Sequence, residues 1–297
     1  MIALHLPGLS EDGACRPMHI HIGFDIALDF DQATPALLML NVHPSRSQDL
    51  VLPDSLRFDP EVPVSTYIDA FGNLCSRVHS PPGRFRVWTD AVITDRGLPD
   101  RSAAEAGEVP VGDLPDEVLI FLLGSRYCET DLLSPTAWNL FGGIAPGGRR
   151  VQAIVDFVHR HLEFGYPHAR ATRTAADAYG ERRGVCRDFA HLAVTLCRCM
   201  NIPARYATGY LGDIGVPKDP SPMDFSAWFE VYLEGGWYTF DARHNQPRIG
   251  RIVMAYGRDA ADVALTNSFG QHVLARFEVW TDEIAEDAAL PARRDAT

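Results

Sequence analysis

The pattern of hydrophobic and polar positions changes along the chain. From Met18 onward, short segments alternate: MHIHIGFDIALDF, ALLMLNV, TYIDAFGNLCSRVHS and FRVWTDAVIT. Successive side chains of a strand point to opposite faces, so alternation rich in β-branched and aromatic residues and broken by Pro and Gly predicts strands. Residues 18–95 are therefore predicted to form a β-rich N-terminal domain, preceded by a loose leader at 1–17.

Helical periodicity follows in the middle of the chain. Residues 97–114 are polar and rich in Gly and Pro, which indicates a surface loop. The whole of 96–148 is expected to be a connecting segment with this loop and short helices. Apolar residues at spacings of three and four then predict a helix at 149–162 and a clearer one at 185–200. Asn201-Ile202-Pro203 ends the second helix, because proline cannot continue it.

Strand patterns return in the last third of the chain. Residues 205–210, 227–233 and 237–241 are predicted strands, and Glu234-Gly235-Gly236 indicates a hairpin between the last two. Two further candidates are 252–255 and 272–280. The expected fold class is α+β, with an antiparallel sheet packed against the 185–200 helix in a core at 149–282, followed by a disordered tail at 283–297.

Composition narrows the classes of function. The chain has 297 residues, of which 46% are hydrophobic, so a sizeable core is expected. A net charge of -12 argues against a partner with a phosphate backbone. Six scattered cysteines indicate free thiols in a reducing compartment, and the apolar runs are too short to span a bilayer. The N-terminal residues lack the features of a secretory signal. These features predict a cytoplasmic protein without a nucleic-acid or membrane partner, and they leave the oligomeric state open.

Cys186 is the candidate nucleophile. It lies at the predicted start of the 185–200 helix, just after Gly184. A helix N-terminus carries unpaired N–H groups and a partial positive charge, which favour the reactive thiolate. On position alone, a buried structural cysteine is the more common alternative.

The predicted hairpin adds a candidate carboxylate. If Glu234 and Gly235 form the turn, Leu233 faces Gly236, and the same register places Trp228 opposite Asp241. Ser226 is then the diagonal neighbour of Asp241 on one face, at roughly 7–8 Å. An imidazole at position 226 would reach both Asp241 and a thiol, as nucleophile, base and orienting group do in acyl transfer.

Three blocks resemble a known family. GVCRDFAHLAVTLCRCMNIPARYATGY and DFSAWFEVYLEGGWYTFDAR are similar to the core of bacterial transglutaminase-like cysteine proteases, and MHIHIGFDI with PPGRFRVWTDAVI resembles their N-terminal region. The resemblance covers residues 18–282. It implies a papain-like thiol core with Cys186 as nucleophile and Asp241 as orienting carboxylate. It also implies a peptide or protein substrate, with hydrolysis favoured over cross-linking. No cofactor or metal is expected.

One position departs from the family pattern. The family has histidine directly before the Ala-Trp pair, where this chain has Ser226. A serine hydroxyl is not a base at neutral pH, and losing one member of such a triad costs several orders of magnitude in rate. Two alternatives follow: a thiol hydrolase whose activity is abolished or strongly reduced, or a non-catalytic peptide-binding or partner protein on the same fold. Ser226→His is expected to create or restore activity, whether the serine is natural or engineered.

Other histidines offer weaker candidates. If the strand continued past Asp241, His244 would point to the opposite face, although a loop would return it to the site. His191 lies about 140° around the helix from Cys186. His19 and His21 alternate on one strand face without an evident carboxylate or cysteine partner, so a metal site is not expected there.

Overall fold

The computed structural model describes residues 17–285, so most of the predicted leader and tail lies outside the described residues. The helices are α1 (Thr130–Phe141), α2 (Gly148–His161), α3 (Ala175–Glu181) and α4 (Cys186–Cys199). The strands are β1 (Met18–Phe30), β2 (Thr34–Leu38), β3 (Leu50–Leu52), β4 (Arg57–Asp59), β5 (Ser65–Ile68), β6 (Leu74–Ser80), β7 (Gly83–Asp95), β8 (Glu163–Phe164), β9 (Arg183–Gly184), β10 (Ala204–Leu211), β11 (Ser226–Leu233), β12 (Gly236–Phe240), β13 (Arg251–Gly257), β14 (Thr266–Ser268) and β15 (His272–Ile284).

The β-rich region at 18–95 contributes to two antiparallel sheets. One has the order β15-β1-β7-β3, with β4 also on β7, and the other has the order β14-β2-β6-β5. β15 pairs with β1 from His19 opposite Ile284 to Phe30 opposite His272. The strand predicted at 272–280 therefore forms, but it completes the N-terminal sheet instead of the 149–282 core, and it continues into the predicted tail.

A third sheet carries the helical layer. Its order is β12-β11-β10-β13, with every neighbour antiparallel. Alternate residues of β11 point toward the helices, where Phe229 and Val231 join a core with Phe189 and Leu192 of α4. Helix α4 covers the apolar face of the sheet, as its pattern of apolar residues predicts. The predicted α+β architecture with a helix packed on an antiparallel sheet is confirmed.

The opposite side of this sheet packs against the N-terminal strands. Ile20 and Phe24 of β1 share a buried cluster with Tyr210 and Ile252 of the third sheet. Phe225 joins them, with its ring centroid 5.2 Å from that of Tyr210 and 5.9 Å from that of Phe24. This contact fixes the chain immediately before Ser226.

No helix within residues 17–285 is long and apolar enough to cross a bilayer. Location in the cytoplasm stays a prediction.

Candidate active site

Cys186 is the first residue of α4, as predicted. The N–H of Val185, just before the helix, donates to a carboxylate oxygen of Asp188 at 2.9 Å, and Asp188 is paired with Arg173 at 3.0 Å. A Cβ at Gly184 would lie 2.6 Å from the Asp188 side chain, so glycine is needed there. The carboxylate satisfies an N–H group that the helix leaves unpaired. The local sequence therefore sets the helix start at the thiol.

The thiol lies between two cavities. Each has a volume of about 570 Å³, and both are lined by Cys186, Asp224 and Ser226. Cys186 is partly buried and packs near Ala227 of β11. The structure thus brings the candidate nucleophile and position 226 together.

Burial dominates the ionisation of this thiol. It raises the pKa of Cys186 to about 11; the Arg243 guanidinium and the Ala227 N–H oppose this, while the Asp224 and Asp241 carboxylates add to it. The thiol is therefore protonated at neutral pH. The position at the helix N-terminus therefore does not by itself give the thiolate that the sequence suggested.

The hairpin has the predicted register. Leu233 faces Gly236 and Phe229 faces Phe240, which extends to Trp228 opposite Asp241 at the first residue after β12. Trp228 is 2% exposed and packs with Ala207 and Val253, so it is a core residue. Asp241 does not line either cavity beside Cys186.

Asp241 is a buried carboxylate with four donors. Its Oδ1 accepts the backbone N–H groups of Arg243 and His244, each at 3.0 Å. Its Oδ2 accepts His244 Nδ1–H at 2.8 Å and a guanidinium N–H of Arg251 at 3.0 Å. Burial alone would raise the pKa of Asp241, but Arg251 and His244 hold it well below its usual range. Asp241 is therefore ionised, and the imidazole that it holds belongs to His244.

The position of His244 follows from the end of β12. The strand stops at Phe240, and the N–H of Asn245 donates to the carbonyl of Asp241 at 2.8 Å. This turn brings His244 back to Asp241 instead of to the opposite face of a continued strand. His244 lines the cavity that Cys186 and Ser226 also line, although no hydrogen bond between thiol and imidazole forms among the described residues.

Two other candidate histidines are held by partners other than the thiol. His191 is buried, stacks on Tyr127 and accepts the N–H of Ala260 at 3.1 Å, and burial lowers its pKa well below the usual value. His21 does have a carboxylate partner, which the sequence did not predict: it pairs with Asp90 of the neighbouring strand β7 at 2.6 Å. Residues 17–285 contain no group of three or more His, Cys, Asp or Glu placed to hold a metal ion.

Comparison with known proteins agrees with this architecture. The model of the transglutaminase-like superfamily matches residues 136–242. A crystal structure of a "putative cysteine protease" from Cytophaga hutchinsonii has 31% sequence identity and a TM-score of 0.80, over 92% of this chain and 93% of that one. An uncharacterized protein of Mycobacterium leprae is 38% identical over 237 residues, which is 74% of this chain and 81% of the relative. An uncharacterized protein of Mycobacterium tuberculosis is 29% identical over 222 residues, covering 67% and 69%. The chain belongs to the transglutaminase-like superfamily.

Proposed function

We propose that this protein is a thiol-dependent hydrolase of peptide or other amide bonds, with Cys186 as nucleophile and Asp241 as orienting carboxylate. The observation that carries the proposal is the position of Cys186: it begins a helix, opens on a cavity lined by Ser226 and His244, and lies near the buried Asp241. The name of the Cytophaga hutchinsonii structure supports this reaction class.

The reaction is acyl transfer. The sulfur of Cys186 attacks the amide carbonyl, the amine leaves, and water hydrolyses the resulting thioester. The backbone N–H of Cys186, in the first turn of the helix, is the natural donor to the developing oxyanion, because the first N–H groups of a helix have no intrahelical acceptor. Hydrolysis is proposed over transfer to an amine.

Ser226 sets the limit on rate. Its hydroxyl cannot take the thiol proton at neutral pH, so turnover requires a base from another position. Without one, the activity would be abolished or strongly reduced.

A peptide or protein is the proposed substrate. The two cavities on either side of Cys186 give room for the chain on both sides of the attacked bond. Free thiols at all five described cysteines support a reducing compartment such as the cytoplasm, and the net charge of -12 argues against nucleic acid.

A non-catalytic peptide-binding protein is the second candidate. Two observations favour it: serine at position 226, and a Cys186 pKa raised to about 11. Such a protein would keep the cavities and bind extended chains without cleaving them.

A release assay separates the two. We expect a broad pool of chromogenic peptide amides to be hydrolysed by the unaltered chain and not by Cys186→Ala. The matched control is Cys75→Ala, which removes a free thiol outside both cavities and should retain activity. If the folded protein binds peptides from the pool but releases no product, the hydrolase proposal is wrong and the peptide-binding protein is favoured.

A further inference from the structure

We propose that His244, supplied by the turn after β12, is the general base and acid for Cys186, in place of a histidine at position 226. This inference rests on the proposed thiol chemistry and adds the group that the chemistry lacks. It makes the serine at 226 compatible with turnover.

The hydrogen bond to Asp241 fixes the useful tautomer. An ionised carboxylate only accepts, so His244 Nδ1 carries the proton in the 2.8 Å contact. In a neutral ring, Nε2 then holds the free lone pair and accepts a proton. A carboxylate on Nδ1 and an acceptor at Nε2 are the arrangement that a catalytic base requires.

The turn holds the imidazole in place. The Asp241 side chain accepts the backbone N–H groups of both Arg243 and His244, so one carboxylate fixes the main chain and the ring. Asn245 follows with φ 49°, and its side chain donates to Asp156 of α2 at 3.0 Å. A base anchored to packed elements loses little freedom on reacting, which favours catalysis.

The imidazole shares a cavity with the thiol. Its side chain is 22% exposed and lines this cavity, whereas that of Asp241 is 3% exposed and does not line it. Among the described residues that line this cavity, His244 is the one histidine; the charged ones are Asp213, Lys218, Asp219, Asp224, Arg243, Arg248 and Asp282. Histidine is the side chain suited to proton exchange near neutral pH. Contacts between base and nucleophile are often long before substrate binds, so the missing hydrogen bond does not exclude the pair.

In the proposed reaction, His244 carries one proton through each half of the cycle. Nε2 of His244 takes the Cys186 thiol proton, directly or through one water, as sulfur bonds to the carbonyl carbon. The carbon–nitrogen bond then breaks, and Nε2 returns that proton to the leaving amine. Water next attacks the thioester, gives a proton to Nε2 and releases the carboxylic acid, and the proton returns to sulfur.

Position 226 then has a different expected response to mutation. Asp241 Oδ2 already accepts from His244 and from Arg251, so a new histidine at 226 would have to compete for it. If His244 is the base, Ser226→His should change the rate only a few-fold. A gain on the order of a hundredfold, the contribution of a positioned acid–base group, would show that the unaltered chain lacks a base and would overturn the inference.

The main experiment replaces the ring. His244→Gln keeps an N–H donor for Asp241 and removes the base, and we expect kcat on peptide amides to fall on the order of a hundredfold or more. His79→Gln is the matched control because His79 is exposed and lies outside the cavities, and its rate should not change. Turnover that depends on Cys186 but is equal in His244→Gln and unaltered protein would reject His244 and leave the hydrolase proposal standing.

Alkylation of Cys186 gives a readout that needs no turnover. The iodoacetamide rate at Cys186, measured by mass spectrometry of its peptide, should fall several-fold in His244→Gln near pH 7. The two proteins should converge at high pH, where hydroxide removes the thiol proton. If the unaltered protein shows this difference in alkylation but no turnover, the hydrolase proposal is wrong and the thiol–imidazole pair stands. If the two proteins have identical alkylation profiles, the pair is wrong.

Discussion

Asp241 shows how the fold accommodates a deeply buried carboxylate. A carboxylate buried this deeply is costly unless charged partners and hydrogen bonds compensate. Here Arg251 compensates for its charge, and the turn that follows satisfies its remaining lone pairs. Arg251 also binds Asp100 at 2.9 Å, so the same guanidinium ties the connecting segment to the site.

Asp241→Asn should make stability less dependent on acid pH. The folded pKa of Asp241 is held below its unfolded value near 3.9, so its contribution is fully present above about pH 5 and is lost progressively as pH falls below the unfolded value toward the folded one. At pH 7 we expect the substitution to lower the free energy of unfolding by about 2–4 kcal/mol. Urea denaturation from pH 7 to pH 3.5 should show this difference shrinking.

The control is Asp31→Asn, an exposed carboxylate between β1 and β2. This substitution should change the free energy of unfolding very little across the same pH range. A stability difference for Asp241→Asn that grows toward pH 3.5 would contradict the assigned direction of the pKa shift.

The residues of the site differ in how far the sequence could place them. Gly184 and the apolar stripe after it located Cys186, and the parity of the hairpin located Asp241 opposite Trp228. His244 depended on where β12 ends and on anchors in α2, which no local pattern encodes. The raised pKa of Cys186 depended on burial by distant elements.

At the scale of elements, the start of α4 is the critical junction. Parallel pairing of β8 with β9 brings the chain to Gly184, and the Asp188 carboxylate then binds the N–H of Val185. The helix boundary and the position of the thiol are therefore one structural feature. A disturbance at Gly184 should reach both stability and reactivity.

Gly184→Ala should destabilise the protein and slow Cys186. The new Cβ would lie 2.6 Å from Asp188, which cannot move without leaving Arg173, so we expect a loss of about 1–3 kcal/mol. Gly180→Ala in α3 is the matched control, because its Cβ would meet nothing within 4 Å. There, helix propensity predicts a gain of roughly 0.5–1 kcal/mol.

Thermal or urea unfolding, together with Cys186 alkylation, measures both variants. Equal stabilities for the two glycine substitutions would mean that the 184–188 contact does not set the helix start.

α1 is a helix that the apolar pattern of the sequence does not clearly indicate. Leu133, Ala137 and Phe141 recur at a spacing of four and are buried, as a helix predicts. Pro135 interrupts that pattern, and exposed Leu132, Trp138 and Leu140 blur the polar face. The sequence predicts a connecting segment with a loop and short helices here, and packing against α4 stabilises this 12-residue helix despite the proline.

At the scale of the whole molecule, the last strand joins the N-terminal sheet to the site. β15 lies along β1, and Trp280 near its end lines the cavity of Cys186. Alternation predicted this strand but not its partner, because pairing across some 250 residues leaves no mark in local periodicity. The division of the sequence at residue 95 could not anticipate that the N-terminal sheet closes with the other end of the chain.

Trp280→Ala should therefore lower stability and activity together. The indole is 8% exposed, donates to Asp90 at 3.1 Å and lies over Gly23, where a Cβ would come within 2.3 Å of the ring. Truncation leaves a cavity and removes one hydrogen bond from the Asp90 carboxylate, which keeps its contact with His21, so we expect a loss of about 3–5 kcal/mol in the free energy of unfolding. It also removes one wall of the cavity beside Cys186, so peptide-amide turnover should fall even at temperatures where the variant stays folded.

Val273→Ala on the same strand is the matched control. Its side chain is 67% exposed, so stability should stay within about 0.5 kcal/mol and turnover should not change. Urea denaturation and the release assay, run on both variants at one temperature, make the comparison. If Trp280→Ala lost stability but kept full turnover, the cavity wall that β15 provides would be structural and not part of the substrate path. If it lost neither, the closure of the sheet by β15 would not be what supports the site.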